Sequence, residues 1–182
     1  MNLIWRTLLH FLLPVQSMND PTEVYSTRLR VLPTDLDVNG HMNNGRYLSI
    51  SDIGRLELLK AAGLWKAMRK RGWYPVVASS TISFRKSLKP WQRFNLETRF
   101  IGMSGKNVFM EQRFTVEGEI YAKMFLAGRF LKDSGGHVPM DEVVAFLGIE
   151  GTESKLPSWL NRWVEDVKLP STRDEAPSNW NG

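Results

Sequence analysis

The sequence predicts an α+β domain: an antiparallel sheet of about five strands wrapped around one long central helix, with an extra amphipathic helix at the N-terminal side and short helices after the sheet. Three observations lead there. Apolar and polar residues alternate with a period of two in several runs joined by short glycine-bearing connections. One stretch of helical periodicity, from about Asn44 to Ala62, is apolar around much of its circumference, with Tyr47, Leu48, Ile50, Ile53, Leu56 and Leu59, as expected of a helix that a sheet encloses. The chain of 182 residues, 42% hydrophobic and 24% charged, has the size and balance of one globular domain.

In chain order, the first 14 residues are too few and too interrupted to span a bilayer, which takes about 20 apolar residues. Asn2, Arg6 and His10 fall on one helical stripe and Ile4, Leu8, Leu9 and Leu12 on the other. Such a helix packs either on the domain or a partner subunit, or lies on a membrane surface through residues 1–13. A secretory signal would want an unbroken apolar run and a small-residue cleavage site, which Gln16 to Asn19 do not supply.

Tyr25 to Val31 alternates as a strand and Pro33 ends it. Asn43 or Asn44 is placed to cap the long helix and Gly63 to stop it. Four strands follow. The first runs from Val76 to Lys86, and the second points Phe94, Leu96, Thr98 and Phe100 inward against Arg93, Asn95, Glu97 and Arg99 outward. In the third, Val108, Met110, Phe114 and Val116 oppose Glu111, Arg113, Thr115 and Glu117, and Ala122, Met124, Leu126 and Phe130 mark the fourth. Residues 102–105 and 117–119 read as hairpin connections. Short helices are expected over Met140 to Leu147 and Ser158 to Val167, followed by a loose polar tail. The chain divides into an N-terminal helix (1–16), the main domain (22–133), a helical extension (134–169) and the tail (170–182), with no internal repeat.

Composition narrows the chemistry. The absence of Cys excludes disulfides, thiolate metal sites and a Cys nucleophile, and fits a cytoplasmic compartment. His10, His41 and His137 are too dispersed for a multi-histidine metal site. The net charge of +5 suits an anionic partner. No recognition helix or basic-aromatic strand motif accompanies it, so no nucleic-acid partner is expected.

The most informative stretch is Asp35 to Asn44, "DLDVNGHMNN". Asp35, Asp37, Asn39 and Gly40 fit the opening of a calcium loop, but the twelfth position, which needs a bidentate carboxylate, is Arg46, and a strand rather than a helix enters the loop. No metal site is expected. Five polar residues are more than one helix cap requires, although a side-chain-to-backbone network that merely builds the turn is the structural alternative.

A strand, the loop "TDLDVNGHMNNGRY", a long buried helix and a meander of strands resembles the hotdog fold. The loop resembles the signature of hotdog thioesterases, in particular the 4-hydroxybenzoyl-CoA thioesterase-like and fatty acyl-ACP thioesterase group, over about Val24 to Lys132. The resemblance implies cofactor-free hydrolysis of an acyl-CoA or acyl-carrier-protein thioester. It also implies a homodimer or homotetramer whose sheets join edge to edge, with acyl sites at the subunit boundary. Asp37 matches the family's catalytic Asp, a nucleophile or general base, and Asn39 and His41 match the loop of the plant acyl-ACP enzymes. Where that group uses an acidic residue on the next strand, this chain has Ser87, so the Asp-only chemistry is the version carried over.

Other candidates follow from position. Asn43 and Asn44 stand at the helix mouth, where free amides and the dipole favour an oxyanion. Tyr47, one turn in, reads as core or as a ligand contact. Arg85 and Lys86, with Lys89, can meet a phosphate or form a solvated strand end. Asp52, Arg55 and Glu57 offer either a second acid site or an intrahelical ion pair, and Trp65, Met68, Trp73 and Tyr74 either an acyl tunnel or ordinary core. The competing function is a non-catalytic acyl-binding or membrane-associated protein of the same fold.

Overall fold

The computed structural model describes residues 3–149, 156–171, 173–178 and 180. Helix α1 (Leu3–Leu12) precedes strand β1 (Tyr25–Arg30), which is followed by a 3₁₀ turn at Pro33–Asp35, the long helix α2 (Asn44–Ala61) and the short α3 (Leu64–Lys70). Strands β2 (Trp73–Phe84), β3 (Arg93–Ser104), β4 (Asn107–Val116) and β5 (Glu119–Lys132) then lead to α4 (Met140–Leu147) and α5 (Ser158–Asp166). The five strands form one antiparallel sheet in the order β1-β3-β4-β5-β2, leaving β1 and β2 as its edges.

The alternation in β3 places Phe94, Leu96, Thr98 and Phe100 on the face that α2 covers. Two apolar clusters fill the space between. One, around Tyr47, Ile50, Leu88, Leu96 and Phe114, lies near the start of α2, and the other, around Leu58, Met68, Trp73, Met110 and Phe130, near its end. Met68 and Trp73 are thus core residues. Between the clusters Gln112 Nε2 donates to Ser51 O and to Thr98 Oγ1, both at 3.0 Å, while Gln112 Oε1 accepts from Arg55 Nη1 at 3.0 Å. Arg55 also pairs with Asp52 within the helix, and burial draws its guanidinium below the ordinary arginine value against that pairing. A Cβ on Gly54 would stand 2.6 Å from Thr98 Oγ1 and 2.7 Å from Leu96 Cδ2, so only a glycine lets helix and sheet approach this closely.

One strand-level expectation needs correction. Residues 102–105 are not a hairpin connection: β3 continues to Ser104, Gly102 sits at a bulge with φ 142°, and the chain turns at Gly105 and Lys106. Glu111 and Thr115 face away from α2, yet both are buried. Glu111 is held 2.7 Å from both Arg99 and Arg113, and Thr115 Oγ1 donates to Glu97 at 3.0 Å. Burial alone would push the Glu111 carboxyl up, but its two arginine partners override that and hold it below the usual carboxylate value. The outer face is not simply solvated, because Leu160 and Val164 of α5 pack there on Phe109 and Ala127.

Helix α1 settles on the domain by its polar stripe. Arg6 Nη1 donates to Asp35 Oδ2 at 2.9 Å and Nη2 to Arg30 O at 2.8 Å. His10 Nδ1 lies 2.6 Å from Glu57 Oε1, and Glu57 Oε2 accepts from Thr27 Oγ1 at 2.6 Å. Lys60 Nζ reaches the carbonyls of His10, Phe11 and Leu13 at 3.1, 2.6 and 2.9 Å, closing the helix end with a cation where the dipole is negative. Asn2 lies outside the described residues. No helix of the described residues is long and apolar enough to cross a membrane.

Candidate active site

The loop between β1 and α2 is closed by an isolated bridge between Leu36 and Met42. Within it Asp37 N donates to His41 O at 2.8 Å and Gly40 N to Asp37 O at 3.0 Å, with Gly40 at φ 72°, where a side chain would be strained. The Asp37 carboxylate buttresses its own turn: Oδ1 accepts from Asn39 N at 2.9 Å and from His41 N at 3.4 Å. Its Oδ2 has no partner among the described residues. Asp37 and His41 are half-buried and Asn39 is exposed.

Two residues upstream, Asp35 is fully buried. Its Oδ2 takes Arg6 Nη1 and Leu32 N, both at 2.9 Å, and its Oδ1 takes Arg46 Nε at 3.0 Å and Nη2 at 2.7 Å. A carboxylate enclosed in this way is tolerable only because every lone pair has a donor. Asp35 O also accepts from Asn43 N at 2.8 Å, which ties the loop to the helix start. Asp35 is therefore more than a turn former, and Arg46, the misfit in the calcium pattern, is its counter-ion.

At the mouth of α2, Asn43 Oδ1 accepts from Gly45 N at 2.8 Å as the N-cap. Asn44 N, the first amide of the helix, has no acceptor among the described residues and lies at an exposed position. Tyr47 is enclosed between Phe84 and Phe114, and its hydroxyl accepts from Leu88 N at 3.3 Å. Burial pushes its phenol up. Of its two readings the structure gives the core one.

Arg85 and Lys86 converge on Glu119, at 2.7 and 2.6 Å, and hold its carboxyl below the ordinary value. They stand at the β2 end beside Tyr121 and make no hydrogen bond to residues 37–44 among the described residues, although Met42 N donates to Leu88 O at 2.9 Å, two residues beyond Lys86. Sequence reasoning missed Arg6 as a loop partner, and no local signal in the sequence links it to Asp35.

An apolar cavity of about 370 Å³ lies between α2, α3 and the sheet, lined by Leu56, Leu59 and Trp65 with Val77, Met110 and Leu126. Asp37 does not line this cavity. Leu56 lies 12 residues beyond Asn44, roughly 18 Å along the helix axis. Within one chain the acid stands before the start of α2, whereas the cavity lies against its middle and second half, from Asp52 to Leu59.

The family model described as the thioesterase-like superfamily matches residues 31–164. Protein THEM6 of Xenopus laevis is 35% identical over 136 residues, which are 74% of this chain and 64% of that protein, so the match spans less than two thirds of this relative's length. Among solved structures, the YbaW probable thioesterase of Escherichia coli superposes with a TM-score of 0.63 at 21% identity, covering 67% of this chain and 95% of its own. A Staphylococcus aureus protein solved in complex with CoA superposes at 0.58 with 13% identity, covering 79% and 96%. At these identities the structural likeness carries the fold.

Proposed function

The chain belongs to the thioesterase-like superfamily and has the hotdog fold, and from that premise we propose that it hydrolyses an acyl-CoA or acyl-carrier thioester with Asp37 as base or nucleophile. The observation that carries this reading is the Asp37 carboxylate itself. One oxygen is fixed by two backbone amides and the other is unclaimed, on a rigid turn shortly before the uncommitted first amide of α2, that of Asn44.

In the water-mediated form, Asp37 Oδ2 takes a proton from water as its oxygen bonds to the thioester carbon. Negative charge moves to the carbonyl oxygen, where the Asn44 amide and the helix dipole stabilise it. The C–S bond then breaks, the thiolate takes up the proton, and a carboxylic acid and a thiol leave. His41, whose backbone belongs to the same turn, is the residue to which this reading assigns the passing of that proton. CoA as carrier is supported by the neighbour solved with it.

The separation of acid and cavity supports a site shared between two copies. Strand β2 is an open edge of the sheet, and Val77 from that edge lines the cavity. Joining two sheets through β2 in a homodimer, as the family resemblance implies, would set one protomer's loop against its partner's cavity, with room there for the acyl chain.

The test is hydrolysis of a panel of acyl-CoAs by the wild type and Asp37→Ala, with oligomeric state measured by light scattering. We expect turnover to fall roughly 10²- to 10⁴-fold in the variant. Equal turnover by the two proteins removes Asp37 from the mechanism, and full activity in a monomer removes the shared site. The Asx-type turn made by Asp37 favours one second reading, a non-catalytic acyl-binding protein in which the carboxylate only shapes the loop. Acyl-CoA retained without turnover across the panel would establish it.

A further inference from the structure

Helix α1 is docked the wrong way round for a soluble protein. Its charged stripe is buried through Arg6 and His10, while its apolar arc is turned outward, with Ile4 67%, Trp5 64% and Leu12 72% exposed. Leu8 and Leu9 share that arc. A surface helix would normally bury this side, and here the ion pairs to Asp35 and Glu57 prevent it from rolling over.

Beside the arc runs an open groove of about 1050 Å³ along the outer face of β1 and β3, with Trp5 and Leu9 on one rim and Trp91 on another. Trp91 is 58% exposed and held at φ 63°. Besides Arg6, which is paired with Asp35, the groove carries three arginines. Arg28 and Arg30 point the same way along β1, and Arg30 stands directly opposite Arg93 across the strand pair. Like charges in that register repel, and among the described residues none of the three has an ion-paired carboxylate; Glu117 is the acid of the groove. An uncompensated cationic face, two exposed tryptophans and an outward apolar helix thus lie together.

We propose that this face docks on an anionic bilayer surface, with the apolar arc of α1 and the two tryptophans entering the interfacial layer and Arg28, Arg30 and Arg93 meeting lipid phosphates and carboxylates. The chemistry matches an interfacial helix: a short amphipathic segment with tryptophan at the boundary and basic side chains beside it. A bilayer accepts a convex helix, whereas a protein partner would have to present a complementary apolar trough and a separate acidic ridge. The site is independent of thioester hydrolysis and is read without turnover.

The test is co-sedimentation of the full chain with phosphatidylcholine vesicles with and without phosphatidylserine. The replaced side chains are all exposed, and unchanged circular dichroism and melting confirm folding of the variants. Wild type is expected on the phosphatidylserine vesicles, with binding weakened by salt. Arg28→Gln/Arg30→Gln/Arg93→Gln should bind them on the order of a hundredfold more weakly, and Leu8→Ser/Leu12→Ser should lose both vesicle types. The proposal is overturned if wild type binds neither vesicle, or if the leucine variant binds as well as wild type. It is equally overturned if light scattering shows a dimer that the leucine changes dissolve in a protein indifferent to vesicles, since a second copy would then cover the arc.

Discussion

Asp35 and Asp37 stand two residues apart on one loop, yet the first is enclosed and gripped by two guanidinium groups while the second keeps an oxygen free at a half-buried turn. The surroundings, not the residue type, divide the labour. An acid whose every lone pair is satisfied can only hold structure, because a substrate or water would have to displace an arginine. An acid that is half satisfied is positioned and still available. The loop thus separates a carboxylate with every oxygen engaged from one that keeps an oxygen free.

The largest effect should come from breaking the anchor. Asp35→Ala leaves Arg6 and Arg46 without their anion and is expected to cost about 3–5 kcal/mol in chemical denaturation, with faster amide exchange in α1. A loss under about 1 kcal/mol would erase the contrast. Next, Gly54→Ala presses a methyl group into Thr98 and Leu96 beneath the helix and should cost about 1–3 kcal/mol. Asn43→Ala removes the N-cap and should cost about 1 kcal/mol, while leaving the Asp35 ion pairs in place.

The carboxylate contrast extends to pH. Glu111 is held below its ordinary value of 4.5 by Arg99 and Arg113, so its stabilisation is present above that value and is lost as pH falls through the lower folded value. The melting temperature should therefore drop below about pH 4.5, and Glu111→Gln should flatten that part of the profile. The smallest stability change is expected for Asp37→Ala, under about 1 kcal/mol, since it gives up only two accessible turn hydrogen bonds. A large destabilisation there would make Asp37 a second anchor.

What was legible in the sequence is what local physics fixes. The alternation from Phe94 to Phe100, the cap at Asn43 and the stop at Gly63, which adopts φ 70°, follow from residues near one another in the chain. The candidate site was legible for the same reason, since Asp37 to Asn44 is one contiguous turn and helix start. Periodicity also gave the two stripes of α1 but not which would face inward. That choice depends on Arg6 meeting Asp35 and His10 meeting Glu57, pairs 29 and 47 residues apart. The bulge at Gly102 was hidden because a glycine near a serine and a second glycine looks the same in a turn and in a kinked strand. The burial of Glu111 was not legible, because alternation reports the side of a strand and not what flanks it.

Lys60 gathers three carbonyls at the end of α1 before anything approaches that helix. The entropy of ordering the segment is therefore lost during folding rather than on encounter. Association through this face should behave as rigid docking, with an observed rate that rises linearly with vesicle concentration and shows no plateau from a slow coil-to-helix step.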